Sequence, residues 1–481
     1  MPGTLRVYTL STHEYSPEII AVAFAKTSRS PLPFDVIAQD LNEDQSRRFH
    51  EKWVIGYGHA SVAEHAVLHL AIEGASRLAL EVVESARLAS YTEKSTRYQK
   101  WDPEAFHRPA ELQGHPLQSL YEATVRHLFQ TYQAVQEPVQ EVMRRYYPPR
   151  EGETPAKWEK RVRTRYMDVC RFLLPAATLA NVGMTVNTRV LAHTLRKMLA
   201  HPLAEVRDLA TRMKEVALQE APTLVRYVAP DAALQRALAQ ARKWAETLAA
   251  PPDLAEPTRE NGPWLRLVHY DPDGEARVLA AALYRVSQEP YEVWLARVRQ
   301  MSPAQREALM RDLLTHLGPH DVPLRELEHT VYTVDVVLDQ GAYYELKRHR
   351  MMTLTPQRLT ARLGYTVPRA IVEAGVEKPY REAMERAGET YERLAAWNPE
   401  VAAYVVPNGF RRRALLTFNA RQAYHLIQLR AAKNAHFSMR RFALRLAEAL
   451  RRVHPGLFAF LQLPETPWQA IEQAHFAEGA A

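Results

Sequence analysis

The chain repeats itself, and this constrains its fold more than any other feature of the 481-residue sequence. Leu174-Pro175, Thr185-Val186-Asn187-Thr188-Arg189 and His193 recur as Val406-Pro407, Thr417-Phe418-Asn419-Ala420-Arg421 and His425, each displaced by 232 positions. Upstream, Ser61-Val62-Ala63-Glu64-His65 answers Leu327-Glu328-His329, with Glu64 and Glu328 264 positions apart. Each leads into an apolar run. Val331–Leu338 is rich in β-branched residues and predicts a strand, followed by a helix. Ser76, in Gly74-Ala75-Ser76-Arg77, and Asp339, before Gln340-Gly341, are placed to cap those helices. A repeated strand-and-helix unit implies one α+β fold built twice. Because the displacement falls from 264 to 232, the first copy holds roughly 32 additional residues, within 99–165. The expected organisation is a first repeat over 1–228, a helical linker over 229–263 built on Asp231–Ala249, a second repeat over 264–465 and a tail over 466–481.

Composition narrows the class. Apolar content of 47% and charged content of 24% are those of an ordinary globular protein. No run is long and apolar enough for a membrane span, and the N-terminal residues lack a signal-peptide pattern. Cys170 is the single cysteine, so no internal disulfide can form, and a cytoplasmic location is expected. The net charge of +7 comes from scattered arginine rather than a basic block. That distribution lacks the block of a polyanion-binding tail and suits anionic small molecules such as nucleotides as well as it suits nucleic acid, which is not the expected partner. No His/Cys zinc spacing, P-loop or G-x-G-x-x-G occurs, so no metal site is expected.

Three segments could carry chemistry. Arg348-His349-Arg350, at a predicted helix end, could grip phosphate, although the tripeptide alone reads more plainly as a solvated basic face. Ser90-Tyr91-Thr92-Glu93-Lys94-Ser95-Thr96-Arg97-Tyr98 offers hydroxyls, a carboxylate and a guanidinium for a sugar, base or phosphate; alone it reads as a surface turn. In the repeated Asn-x-Arg-x3-His segment, Arg421 and His425 share a helix face, whereas Arg430 lies nine residues on, on the opposite face. This predicts a helix between two sites, or between a site and a subunit contact. Cys170 sits in an apolar run and reads as core. Arg171 beside it requires a partner.

Together these segments resemble the flavin-dependent thymidylate synthases. That family carries H-x-S-x-x-E-H, G-x-S-R and R-H-R-x-x-S-x-N/S-E/Q-x-S-x-R-Y in order. The first copy matches the frame with His59-Ala60-Ser61-Val62-Ala63-Glu64-His65, Gly74-Ala75-Ser76-Arg77 and Ser85 through Tyr98. Arg171, Pro175, Asn187 and Arg189 meet the later pattern. The resemblance implies two tandem copies of the family fold, an antiparallel or mixed sheet with long helices. It implies FAD as cofactor, NADPH and methylenetetrahydrofolate as co-substrates, and methylation of dUMP to dTMP. It also implies a homodimer imitating the family's tetramer.

Carried over position by position, the resemblance assigns Arg430 to catalysis by activating the uracil ring. It assigns Arg348, Glu93, Ser95, Thr96, Arg97, Arg171 and Arg430 to dUMP. To FAD it assigns Ser61, Glu64, Glu93, Asn187, Arg189 and His193 from the first copy, and Arg348, His349, Arg350, Asn419, Arg421 and His425 from the second. The copies depart from the pattern in complementary ways. The first has Ser85-Ala86 in place of Arg-His, and Met198 in the position of Arg430. The second has Pro356, Arg358 and Thr360 at the acidic, Ser and Arg positions, and Ala403 in the position of Arg171. The resemblance allows a weakened or composite site drawing on both copies, but each family pairing is split between them, so any one composite site would lack some arginines. The alternative is a diverged relative that binds flavin, nucleotide or nucleic acid without synthase activity, or serves as a non-catalytic assembly partner.

Overall fold

The computed structural model describes residues 5–97, 101–248, 264–318 and 321–477. Among its principal elements, the first repeat runs α1 (Pro17–Lys26), β1 (Val67–Ser76), α2 (Arg77–Val83), β2 (Ala89–Glu93), α3 (Gln118–Ala134), α4 (Gln136–Tyr146), α5 (Pro155–Cys170), β3 (Leu179–Asn187), α6 (Thr188–Leu199) and α7 (Ala204–Glu220). Helix α8 (Ala232–Thr247) follows, capped by Asp231 and burying none of its residues. Residues 249–263, the rest of the expected linker, lie outside the described residues. The second repeat runs β4 (Leu265–Tyr270), α9 (Gly274–Arg285), β5 (Val331–Asp339), α10 (Gln340–Leu346), β6 (Thr353–Pro356), α11 (Glu377–Trp397), β7 (Arg411–Asn419), α12 (Ala420–Ala431) and α13 (Phe437–Val453). No helix among the described residues is long and apolar enough to cross a membrane.

The chain forms two compact units that do not follow chain order. Unit 1 comprises residues 1–95, 105–118 and 177–249; unit 2 comprises 96–104, 119–176 and 250–481. Unit 1 holds a three-stranded sheet in the order β1-β3-β2, and both pairings are antiparallel. Along β3, Ala180, Val182, Met184 and Val186 alternate inward, the period-two pattern of a half-buried strand. The β1–β3 register shifts between Ile72 and Ala75. Gly74 lies inside that shift at φ 67°, a left-handed conformation that glycine adopts without steric cost. Both expected caps are made: Ser76 Oγ accepts from the Ala79 N–H at 3.0 Å, and Asp339 Oδ1 from the Ala342 N–H at 2.7 Å.

Unit 2 holds a four-stranded sheet, β4-β5-β7-β6, again antiparallel throughout, so the described sheets are antiparallel rather than mixed. Its core gathers Tyr332, Val334, Leu416, Leu426, Ile427, Phe442 and Leu446, all fully buried. The body of helix α3 and all of α4 and α5, with much of the additional 99–165 segment, belong to this unit although they come from the first repeat. Two backbone hydrogen bonds join the repeats there reciprocally. Ala176 N–H donates to Val406 C=O at 3.0 Å, and Asn408 N–H donates to Leu174 C=O at 3.0 Å. Positions 174 and 406, and 176 and 408, are equivalent under the 232 displacement, so the contact has the self-complementary form of a two-fold interface. Thr124 and Thr390, on α3 and α11, also share a buried hydrogen bond of 2.9 Å.

Gly409 lies beside this joint, its N–H donating to Phe172 C=O at 2.8 Å. A Cβ there would stand 2.7 Å from Met384 Cε, 3.0 Å from the Tyr380 hydroxyl and 3.3 Å from Phe172 Cβ. The methionine end can move, but Tyr380 is fully buried and its hydroxyl donates to Thr366 C=O at 2.7 Å. Gly409→Ala is therefore expected to destabilise the protein by about 1–3 kcal/mol through overpacking, read as a lower urea midpoint with unchanged slope.

Candidate functional site

Within unit 2 a carboxylate from helix α10 is enclosed by guanidiniums from both repeats. Glu345 Oε1 accepts from Arg171 Nη2 at 3.1 Å. Its Oε2 accepts from Arg430 Nη1 at 3.1 Å, and its backbone carbonyl from Arg430 Nη2 at 3.1 Å. Arg97 Nη2 lies 3.8 Å from Oε1. A second acid, Asp168, accepts from Arg97 Nε at 2.6 Å and stands 3.3 Å from Arg171 Nη2. Arg171 Nη1 also donates to Thr96 Oγ1 at 3.3 Å. Arg171 thus has the partners that its place in an apolar run demanded, and Cys170 beside it is buried core.

Two neutral imidazoles border this cluster. His436 caps α13 by accepting the Ser438 N–H at Nδ1, 3.2 Å, so its Nε2–H donates to the Asp168 carbonyl at 3.1 Å. Burial, then the neighbouring Arg171, lowers its pKa. His349 Nε2 accepts from Arg430 Nε at 2.9 Å, and its Nδ1 lies 3.5 Å from the Gln422 amide. Burial, then Arg430 and His425, push its pKa down to about 3. At neutral pH His349 is therefore an acceptor, not a third cation beside Arg348 and Arg350. Arg348 is exposed and Arg350 half-buried, so the three neighbours enter different environments. Burial would raise the pKa of Glu345, but the guanidiniums of Arg171, Arg97 and Arg430 outweigh it and hold the carboxyl at about 2. Burial lowers the pKa of Arg430, with Glu345 opposing that effect.

Helix α12 separates this cluster from an open cleft, as the nine-residue spacing of Arg421 and Arg430 predicts. On its other side Asn419, Arg421, Gln422 and His425 line a cavity of about 660 Å³ with Val322, Met351 and Leu429. Asn419 caps the helix through the Gln422 N–H at 2.8 Å. Arg421 is held by Glu328 at 2.8 Å and by the Pro323 carbonyl at 3.0 Å. The His425 and His349 rings meet edge to face at 5.6 Å, linking cleft to cluster.

Unit 1 builds the equivalent corner. Asn187 caps α6 through the Val190 N–H at 2.9 Å, and Arg189 pairs with Glu64 on a 3-10 turn over Ala60–Glu64. Thr188 Oγ1 fastens that turn to the helix through the Ala63 carbonyl at 2.8 Å. Ser61 and His193 are exposed there. Glu93 lies elsewhere in the unit, in a buried pair with Arg77 at 3.4 Å, and Ser95 follows it half-buried. Of the expected dUMP set, unit 2 therefore gathers Thr96, Arg97, Arg171 and Arg430 directly. Among the described residues, no group of three or more His, Cys, Asp or Glu is arranged to hold a metal ion.

The family model described as thymidylate synthase complementing protein matches the chain twice, over residues 9–223 and 266–456. The chain belongs to this family. It is a tandemly duplicated and diverged flavin-dependent thymidylate synthase relative. The UPF0159 protein of Chlamydia muridarum is 30% identical over 486 residues, covering 93% of this chain and 90% of that one, so it shares both repeats. The flavin-dependent thymidylate synthase of Sulfolobus acidocaldarius is 31% identical over 206 residues, covering 41% of this chain and 75% of its own length. The solved flavin-dependent thymidylate synthase of Helicobacter pylori, complexed with FAD and dUMP, is 21% identical, with a TM-score of 0.31, over 42% of this chain and 99% of that one.

Glu345, Asp168 and His436 escaped the reading of the sequence. The signal for the first two was available: each is an acid in an otherwise apolar stretch, and a buried acid demands a cation. Asp168 also stands one helical turn before Arg171. Because the folded pKa of Glu345 lies near 2 against an ordinary 4.5, its pairing stabilises the fold fully above pH 4.5, and that stabilisation is lost as pH falls toward 2. Glu345→Gln is expected to be less stable than the parent by about 3–5 kcal/mol at pH 7, since it leaves buried guanidiniums uncompensated. In urea titrations the gap should narrow from pH 4.5 to 2; a gap constant across that window would mean that Glu345 is not ionised in the fold.

Proposed function

We propose that the protein is a flavoprotein of the synthase type, binding FAD and acting on dUMP to make dTMP with methylenetetrahydrofolate and NADPH. The observation that carries this reading is the repeated corner in which an Asn caps a helix and an Arg two residues on, in the first turn, pairs with a Glu from a 3-10 turn. It is present as Asn187, Arg189 and Glu64 and again as Asn419, Arg421 and Glu328. In unit 2 this corner borders a cavity of about 660 Å³, within the roughly 300–1,000 Å³ range of small-molecule sites. Its lining suits a flavin nucleotide: apolar Val322, Met351 and Leu429 for a ring face, and Asn419, Arg421, Gln422 and His425 for polar edges and phosphate.

When bound, FAD supplies the hydride relay between NADPH and the one-carbon unit. The protein's own residues position and polarise. Arg430 is the candidate for polarising the uracil ring, with Thr96, Arg97 and Arg171 gathered around it. Arg171 Nε is buried without an acceptor among the described residues and remains a donor available to a ligand. Arg348 and Arg350 would serve the flavin side in unit 2, and Ser61 and His193 would do so at the unit 1 corner; Glu93, elsewhere in unit 1, would serve flavin and dUMP, and Ser95 dUMP alone. The repeats at 1–228 and 264–465 and a dimer of such chains complete this reading.

Glu345 supports a second reading. Its carboxylate already takes hydrogen bonds from Arg171 and Arg430, so an incoming phosphate or uracil oxygen must compete with it. A relative that keeps flavin but no longer takes dUMP fits that arrangement.

Absorption spectra of the purified protein, with FAD and then dUMP added, separate the readings. FAD uptake followed by a band shift with dUMP, together with dTMP formation in the complete assay, is expected of the synthase. Uptake without a dUMP shift favours the second reading, and no uptake in excess FAD overturns both. Arg421→Ala should weaken FAD binding about 10- to 100-fold, the loss of one charge-assisted contact.

A further inference from the structure

The two repeats differ at one place in their sheets. The second opens with β4, which pairs antiparallel with the outer edge of β5 and packs against α13. In unit 1 the corresponding edge of β1 carries no strand among the described residues, because β1 pairs with β3 alone. The sequence of that strand is nevertheless present. Leu5-Arg6-Val7-Tyr8-Thr9-Leu10 matches Leu265-Arg266-Leu267-Val268-His269-Tyr270, displaced by 260 positions.

The equivalence resumes after a connection three residues longer in the first repeat, with Glu18 and Glu275 257 positions apart. In α1, Glu18 Oε1 accepts from the Thr223 and Leu224 N–H groups at 2.8 Å; in α9, Glu275 Oε1 accepts from the Leu457 N–H at 3.0 Å. Leu224 and Leu457 stand at the same distance beyond α7 and α13, each a helix of 17 residues. The elements around the slot are thus conserved between the units, and only the strand is missing.

The space for it remains. A groove of about 420 Å³ runs between β1 and α7, lined by Leu68, Leu70, Ile72, Met213 and Val216. Leu70 is half-buried, whereas its counterpart Val334 is fully buried. The would-be strand is equally unfinished: Leu5 is 90% and Val7 91% exposed, against 3% for Leu265. The segment leaves its own core at Leu10, which packs against the Ile19, Val22 and Ile37 cluster. From there it runs to Asp35, which accepts from Arg6 at 2.5 Å and from Tyr8 at 3.1 Å. These are exposed surface contacts and hold a segment weakly.

We propose that residues 5–9 of a second copy of this chain fill the groove as the missing edge strand, in a reciprocal exchange that joins two chains. A single chain offers both an unpaired strand and an unfilled slot, and two-fold exchange satisfies both at once. It buries Leu5 and Val7 and closes a β edge that would otherwise invite uncontrolled pairing. The register follows from β4 on β5, where Leu265 faces Val336, Arg266 faces Asp335 and Leu267 faces Val334. Through the shared pairing of β1 and β5 with Asn187 and Asn419, Leu5 comes opposite Ile72, Arg6 opposite Ala71 and Val7 opposite Leu70.

The test is the full chain carrying Arg6→Cys with Ala71→Cys; the native thiol, Cys170, is buried. Mild oxidation should give a disulfide-linked dimer on a non-reducing gel, reversed by reductant. The out-of-register pair Arg6→Cys with Glu73→Cys should give at least ten-fold less, and adding Val7→Asp to the first pair should cost a similar factor. Circular dichroism checks that each variant is folded. A disulfide closed within one chain would overturn the exchange in favour of self-docking, and no disulfide at all would overturn docking of the segment. Neither outcome depends on flavin binding.

Discussion

One carboxylate holds the two repeats of the sequence to a common electrostatic centre. Glu345 comes from the second repeat, and the guanidiniums around it come from both: Arg97 and Arg171 from the first, Arg430 from the second. Such a centre is stable only when complete. Each buried charge carries a desolvation penalty that its partners must offset, and removal of one leaves the others exposed to that penalty. Asp168 brings the balance to three guanidiniums against two carboxylates. His349 and His436 are kept neutral by the burial and the positive neighbours that define the cluster. The reciprocal backbone bonds at Pro175 and Pro407, and the tight packing at Gly409, fix the helices that deliver these side chains.

Duplication followed by divergence explains which features are shared. Elements that build the fold persist in both repeats: the helix caps at Asn187 and Asn419, the ion pairs of Glu64 with Arg189 and Glu328 with Arg421, and the reciprocal joint. Positions that carry charge into the interior were divided between the copies instead. Arg171 has Ala403 as its counterpart and Arg430 has Met198, and both counterparts are buried apolar residues. A second cationic centre would need its own buried acids. Filling one of two equivalent positions with an apolar side chain removes that requirement and adds to the core.

Much of this was legible in the sequence. Identical residues at fixed displacement revealed the duplication, and among them the Asn caps depend on local spacing alone. The run Val331–Leu338 reads as a strand from its branched side chains, and the two faces of α12 follow from the nine positions that separate Arg421 from Arg430. What was not legible depends on distant contacts. The assignment of α3, α4 and α5 to unit 2 rests on tertiary packing that no local pattern encodes. The neutrality of His349 rests on burial and on Arg430, which stands 81 positions away. Read as a tripeptide, Arg348-His349-Arg350 could grip phosphate but read more plainly as a solvated basic face; folded, the three occupy an exposed, a buried and a half-buried setting.

The placement of His349 links the two sides of helix α12. Its Nε2 accepts from Arg430 within the cluster, while its ring rests against His425, which faces the cleft with Arg421. A neutral imidazole can accept that hydrogen bond, whereas a protonated one cannot and would place a cation against Arg430. The neutral state of His349 therefore adds a third contact to the two by which Arg430 is held to Glu345. His349 thus stands between the cleft-lining His425 and the buried Arg430, its ring touching both sides of the helix through a ring contact and a hydrogen bond.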